Sequence, residues 1–322
     1  MQTFECREKA APDAAARNLS GAIRLRCPVC GAGAVNFHCT RCDFVLTIAR
    51  GIVDALSPVR AFHYAKFIAD YERIRDAEGR GSERDAFYLN LPYRDISGRY
   101  HEQWQIRRRT FDCLTRNVLP VIPAEARILD LGAGNCWLSF RLAHAGHKPA
   151  AVDLLTNGRD GLGAAEHYRG ALPGLFPRFR AELENLPFQD NQFDAAIFNA
   201  SFHYAEDAEK ALGEALRCVK KEGWVIISDT PWYSGASSGE QMVRERRARF
   251  LKQHGTASAS IASLEYLTDD RLLALEERLR IRWETYFPKY GVRWALRPLL
   301  ARVRRRREPA RFRIYAAQKH SA

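Results

Sequence analysis

The chain has 322 residues, with 50 lysines and arginines against 38 acids for a formal net charge of +12, and 46% of its residues are apolar. That length suits one large domain with a smaller companion, and the composition is globular. No apolar run approaches a membrane span, and the opening MQTFECREKAAPDAAARN lacks the apolar middle of a secretory signal, so no transmembrane segment and a cytoplasmic location are expected.

Residues 1–20 are expected to be disordered, and residues 21–57 to form a metal ribbon. Cys27-Pro-Val-Cys30 is followed, eight residues on, by Cys39-Thr-Arg-Cys42. Two such knuckles offer four thiolates to a tetrahedral zinc, with Gly31 and Gly33 giving the turns their freedom. All four positions are filled, so the zinc would be structural. A segment this short buries little core, and the metal would supply most of its folding free energy, on the order of 10 kcal/mol. Cys6, Cys113, Cys136 and Cys218 fit no metal pattern and read as small, buried or half-buried side chains.

Residues 58–120 are dense in aromatics and arginines. Phe62, Ala65, Ile68 and Ala69 fall near helical period and predict a helix. Beyond it come Tyr88, Tyr93, Tyr100, His101 and Trp104, then a second helical run from Ile106 to Leu119.

The stretch RILDLGAGNCWLSFRLA, Arg127 to Ala143, reads as strand, glycine turn and helix, the unit on which α/β folds bind nucleotides at a strand's carboxyl end. The third glycine of a dinucleotide fingerprint is replaced by Trp137, and no G-K-S or G-K-T follows for phosphates. A second apolar run, Pro149 to Leu154, brings Asp153 to a strand end, where a carboxylate accepts hydrogen bonds from both hydroxyls of a ribose. Two more blocks follow: RAELENLPFQDNQFDAAIFNASFHY (180–204) and ALRCVKKEGWVIISD (215–229).

After these, Pro231 to Glu240 reads as a loop, Gln241 to Gln253 as an exposed helix, and Leu264 to Leu279 as another. Ile281 to Phe287 and Phe312 to Ala317 alternate as strands. Between them lies a basic insertion, residues 289–311, in which Val292, Leu296, Leu299 and Val303 recur at helical spacing among many arginines. It has three readings: a surface helix packed by its stripe, a site for RNA phosphates, or an interfacial helix on an anionic membrane.

The four blocks occur in order across roughly residues 125–230 and resemble the class I S-adenosylmethionine (SAM) methyltransferases, within them the methyltransferase type 11 family. The resemblance implies a Rossmann-like α/β fold over residues 121–322, with a seven-stranded sheet and helices on both faces, behind the small zinc ribbon. It implies a SAM site made of Asp130, Gly132, Ala133, Gly134 and Asn135 around the glycine turn, Asp153 and Leu154 at the ribose, Glu182 and Leu183 at the adenine, and Asn199 and Ala200 at the sulfonium. The sequence departs in having Glu182 for the usual Asp and Leu183 for the usual Ala. Material before the glycine turn commonly folds over the pocket in this class. LPYRDISGRY is the expected lid, with Tyr93, Arg94, Tyr100 and Trp104 as its contacts, the alternative being simple packing on the sheet. The ribbon and its continuation, Phe44 to Leu56, resemble the small zinc-binding domain that accompanies some tRNA and protein methyltransferases, here fused in front. A looser resemblance is to the ribbon that opens bacterial 23S rRNA guanine-N1 methyltransferases.

Methyl transfer asks the protein chiefly to hold an acceptor atom in line, and a general base is needed only if the acceptor must lose a proton. His203 and Tyr204 are the nearest titratable groups expected beside the methyl. No N-P-P-Y follows the fourth strand, which argues against the amino-methylating DNA enzymes. The expected function is methylation of a small-molecule or lipid-linked acceptor, with structural zinc and SAM as cofactors. The alternatives are an RNA methyltransferase, gripping phosphates with ribbon and arginine helix, and a SAM-fold scaffold without turnover.

Overall fold

The computed structural model describes residues 23–320; the expected disorder of residues 1–20 lies outside them. Strands β1 (Leu25–Arg26), β2 (Gly33–Val35) and β3 (His38–Cys39) form a small antiparallel sheet that carries the four cysteines. The hairpin β4 (Thr47–Ala49) and β5 (Ile52–Asp54) follows, but it does not stay with the ribbon. It joins the main sheet, where β5 pairs in parallel with β8 (Arg178–Arg180).

The main sheet also holds β6 (Arg127–Leu131), β7 (Lys148–Asp153), β9 (Phe193–Asn199), β10 (Val219–Ser228), β11 (Glu284–Tyr286) and β12 (Ile314–Gln318). Its order is β11-β12-β10-β9-β6-β7-β8-β5-β4, with β11 and β12 antiparallel as expected. Nine strands among the described residues thus replace the expected seven, because the Thr47–Asp54 hairpin extends one edge. The reason is in its side chains. Ile52 and Val53 are both buried, Ile52 in the core on one face of the sheet and Val53 in the core on the other. A hairpin apolar on both faces needs helices or loops above and below, which the large sheet provides and a ribbon cannot.

The central strands show the same double burial. Leu129 and Leu131 of β6 enter one core and Ile128 the other. The second core is covered by α4 (Trp137–His144) and by α3 (His101–Asn117), where the sequence predicted Ile106–Leu119. Trp137 opens α4 and meets Trp104 and Phe111 edge-on, with ring centroids 6.1 and 5.5 Å away. The first core is covered by α5 (Ala208–Cys218) through Ala211, Leu212, Ala215 and Cys218.

Helix α1 (Pro58–Ala77) forms as the sequence predicts, but with a different face inward. Tyr64, Phe67, Asp70 and Ile74 are buried, whereas Phe62 is 85% exposed. Ser57 caps the helix by accepting the Arg60 amide at 3.3 Å, and Pro58 starts it where a missing N–H costs nothing. Short α2 (Asp85–Asn90) lies between α1 and α3. Two C-terminal boundaries differ from expectation. The helix expected at Gln241 starts earlier, as α6 (Ala236–His254), and the one expected at Leu264 starts later, as α7 (Asp269–Leu279), where Thr268 accepts the Arg271 amide. Serine-rich sequence looked like loop, but with Gly255 at the left-handed carboxyl end it completes a regular, mostly exposed helix. No helix of the described residues is long and apolar enough to cross a membrane.

One glycine is dictated by space as well as by dihedral. Gly132 follows β6 at φ +73°, and a Cβ there would lie 2.2 Å from Ser201 Cβ. Gly132→Ala is predicted to cost about 2 kcal/mol or more, from left-handed strain plus overpacking. Urea unfolding measures it; an unchanged midpoint would mean that the turn relaxes freely.

Candidate functional site

The carboxyl ends of β6, β7, β8 and β9 open into one cleft enclosing about 870 Å³ of empty space with its mouth included. That is the size range of small-molecule sites. Its walls are Gly132 to Asn135 and Trp137 after β6, Asp153 to Leu155 after β7, Ala181 and Leu183 after β8, and Asn199 to Ser201 with Tyr204 after β9. Phe67, Tyr71 and Arg75 of α1, Arg107 of α3 and Asp160 complete it.

The floor is built from backbone. Gly132 N–H and Ala133 N–H both donate to Val152 O, at 2.8 and 2.9 Å, so the turn after β6 is clamped to β7. Ser201 reaches back from β9 to donate to Leu131 O. Asp153 is then held on both oxygens: Gly134 N–H donates to Oδ2 and Leu155 N–H to Oδ1, each at 2.8 Å. Burial pushes its carboxyl up to about 6 despite these amides. The carboxylate keeps lone pairs facing the cleft, which suits a ligand that donates hydroxyls.

Not every residue expected at the site faces the cleft. Asp130 is buried beneath it, accepting Ser139 N–H at 3.0 Å and Ser139 Oγ–H at 2.7 Å, and burial raises it to about 7. It sets the start of α4 from below. Glu182 also turns out of the cleft, between its lining neighbours Ala181 and Leu183. Its Oε2 accepts from Arg60 Nε at 2.6 Å and from the Tyr64 hydroxyl at 3.2 Å. His203 stands behind Tyr204. Its Nδ1 is buried without a partner, and burial, then Arg246 and Arg107, push it down to about 3. Tyr204 itself lines the cleft, edge-on to Tyr71 at 5.8 Å and to Phe67 at 6.2 Å.

The cover is α1 rather than LPYRDISGRY. Of the expected lid contacts, Tyr93 packs edge-on to Phe111 and under Arg141, Tyr100 lies under Arg80, and Trp104 is buried against Trp137. None of these, nor Arg94, lines the cleft. Helix α1 is fastened at both ends by ion pairs, Arg60 to Glu182 and Glu206, and Arg75 to Asp160. Thr256 Oγ–H donates to Asp70 near its middle, at 2.8 Å.

Sequence reasoning missed Arg75 and Arg107. Arg75 is spoken for by Asp160. Arg107 stacks on Trp104 at 4.7 Å and has no ion pair among the described residues, and burial lowers its pKa. A cation left without an acid in a cleft wall is free to meet an anionic group of a ligand. The only signal in the sequence was the Trp104-x-x-Arg107 spacing, which stacks the pair on one helix face.

Away from the cleft, Cys27, Cys30, Cys39 and Cys42 gather with all four Sγ atoms within 4.8 Å of one another. Cys27 and Cys42 sulfurs are 3.6 Å apart and those of Cys30 and Cys39 3.4 Å. Tetrahedral zinc at about 2.3 Å from each thiolate requires sulfurs about 3.8 Å apart. Backbone amides already point at the sulfurs, Val29 at Cys27 and both Arg41 and Cys42 at Cys39. The ribbon is stitched to the loop beyond Leu183: Arg26 N–H donates to Pro187 O, Gln189 N–H to Arg24 O, and Asn185 Nδ2–H to Pro28 O.

Comparison with known proteins agrees with this geometry. Residues 129–227 match the methyltransferase domain family. Among curated relatives, a ubiquinone/menaquinone biosynthesis C-methyltransferase of Allorhizobium ampelinum is 26% identical over 165 residues, 49% of this chain and 61% of that one. A demethylmenaquinone methyltransferase of Clavibacter sepedonicus is 31% identical over 157 residues, 48% of this chain and 61% of that one. A malonyl-[acyl-carrier protein] O-methyltransferase of Halorhodospira halophila is 28% identical over 179 residues, 54% of this chain and 56% of that one. The chain thus spans less than two thirds of the length of each. Among solved structures, a phosphoethanolamine N-methyltransferase of Haemonchus contortus in complex with SAM is similar at 15% identity and TM-score 0.49, over 73% of this chain and 60% of that one. Residues 129–227 are thus a methyltransferase domain, and the cleft opens at the carboxyl ends of its parallel strands.

Proposed function

We propose that the chain transfers a methyl group from SAM to a small-molecule or lipid-linked acceptor. The observation that carries the cofactor reading is Asp153, a carboxylate fixed by two backbone amides with its free lone pairs turned into the cleft. In this reading it takes the ribose hydroxyls, and Gly132 to Asn135 with Leu154 form the bed under the ribose and amino-acid portion. Ala181 and Leu183 flank the adenine, while Glu182 acts indirectly by holding α1 through Arg60. Arg107 receives the methionine carboxylate. SAM brings an activated methyl on a sulfonium, and Asn199, Ala200 and Tyr204 enclose that end.

The chain's task is then to place an acceptor atom about 3 Å from the methyl and exclude water. Phe67, Tyr71 and Tyr204 form an aromatic wall suited to that exclusion. His203, held neutral and weakly basic behind the wall, is poorly suited to draw a proton from an acceptor. The small-acceptor reading is supported by the enclosed cleft and by relatives whose names specify quinone-pathway and carrier-bound substrates. We also infer that the four cysteines hold one structural zinc.

Three measurements test these readings. In calorimetry, SAM should bind the wild type, and Asp153→Ala should weaken it about ten- to a hundred-fold, the value of hydrogen bonds to a charged group. Binding should also weaken as pH falls through about 6, because protonated Asp153 loses acceptor capacity. Its effect on stability has the opposite sign. The native state holds this proton more tightly than the unfolded chain, so the Asp153 contribution rises as pH falls from about 6 towards the unfolded pKa. Equal SAM affinity at pH 5 and pH 8, or in Asp153→Ala, sinks the ribose assignment. Elemental analysis should find about one zinc per chain, and chelation should lower the melting temperature; a metal-free, equally stable chain excludes the metal. Labelled SAM offered to lipid, small-molecule and RNA extracts should label the lipid or small-molecule fraction, and label on RNA alone would overturn the acceptor reading.

A further inference from the structure

The basic insertion forms two short helices, α8 (Val292–Ala295) and α9 (Arg297–Val303), which run almost as one. Leu296 between them keeps right-handed helical dihedrals, and the bonds Leu296 N–H to Val292 O, Leu300 N–H to Leu296 O and Arg304 N–H to Leu300 O continue the ladder. On such a ladder positions 292, 296, 299, 300 and 303 share one face. A surface helix ordinarily turns such a stripe into the core. Here it faces water: Val292 is 76% exposed, Leu299 59% and Val303 74%, with Leu296 and Leu300 near half.

The charges beside the stripe are also unpartnered. Arg307, Arg311 and Arg313 pair with Glu245, Glu308 and Asp269. Arg293, Arg302 and Arg304 to Arg306 have no ion pair among the described residues. What covers this face must therefore be apolar at its centre and anionic around it. Nucleic acid would satisfy the arginines but leave five aliphatic side chains in water. A second copy of the chain would set arginines against arginines.

We propose that this helix pair docks on the surface of a bilayer containing anionic lipid, the aliphatic stripe entering the acyl boundary and the arginines meeting headgroups. Its inner side is anchored: Trp294 lies against Tyr290 and Phe312, with ring centroids 4.9 and 6.0 Å away. The Tyr290 hydroxyl is 2.7 Å from Thr110 Oγ, which donates to Asp229 at 2.6 Å, just past the end of β10. Ser228 of β10 pairs with Asn199, a wall of the cleft. The helix pair is thus linked to the cleft wall through a short relay of contacts, so that an acceptor with a lipid tail could be presented from the bilayer; that consequence rests on the acceptor reading above, whereas the docking does not.

Sedimentation of the full, metal-loaded chain with phosphatidylcholine vesicles, with and without phosphatidylglycerol, tests the docking. Binding is expected with phosphatidylglycerol only. It should fall about a hundred-fold when Arg304, Arg305 and Arg306 are changed to Gln. It should be lost in the variant combining Leu299→Glu, Leu300→Glu and Val303→Glu, all exposed positions, with SAM binding and melting temperature unchanged in both variants. No vesicle binding, or binding that the glutamate variant retains, overturns the proposal; so does a dimer in analytical ultracentrifugation that the glutamate variant dissociates, or RNA binding with none to vesicles. Failure of the acceptor screen with vesicle binding intact would instead strike only the reading of the acceptor.

Discussion

The cleft depends on the absence of a side chain at position 132. With no Cβ there, the end of β6 passes directly beneath Ser201, and the two central strands can hold their ends together through Ser201 and Leu131 O. The turn that follows is free to give its first two amides to Val152 and its next to Asp153. Everything that presents Asp153 to a ligand is therefore main chain or packed directly on it. A carboxylate fixed in this way needs little reorganisation to receive hydroxyls, which is how rigid parallel-strand ends position polar groups.

The cover over the cleft is held differently. Helix α1 buries two aromatics and Ile74, and the rest of its attachment is electrostatic, through Arg60, Arg75 and Asp70. Partly buried ion pairs add little net stability, since desolvation offsets much of their attraction, but they fix which residues meet. Here they set the register of α1 so that Phe67, Tyr71 and Arg75 face inward. Glu182 is central to that, and its length explains its direction. Its carboxylate reaches beyond the cleft wall to α1, while its neighbours Ala181 and Leu183 supply the apolar lining.

The parts legible in the sequence were those written as short local patterns. The glycine turn, the strand ending at Asp153, the strand before Asn199 and the two cysteine knuckles each state their geometry within a few residues, and each is found where expected. What escaped was decided by distant partners. The stripe Phe62, Ala65, Ile68 and Ala69 promised a buried face for α1, but the buried face is the one bearing Tyr64 and Asp70, whose partners Glu182 and Thr256 lie far along the chain. Aromatics in LPYRDISGRY resembled lid contacts, yet arginines stacked over Tyr93 and Tyr100 fix them against the second core. Among 50 lysines and arginines, nothing local marks Arg107 as the one facing the cleft without an acid. The Thr47–Asp54 hairpin read as ribbon because it follows the cysteines, although its two-sided burial belongs to the large sheet.

That hairpin also imposes an order on folding. Asp54 meets Arg180 across 126 residues of chain, and Val53 pairs with Phe179 beside it. The four cysteines lie close in sequence, so a metal can organise them as soon as they leave the ribosome. The hairpin and α1, made next, must wait for β8 before they find their places. Closing so long a loop is slow relative to local structure. During synthesis the cysteine knuckles can therefore close early, while their docking on residues 185–189 and the cover of the cleft settle last, after the strands beneath.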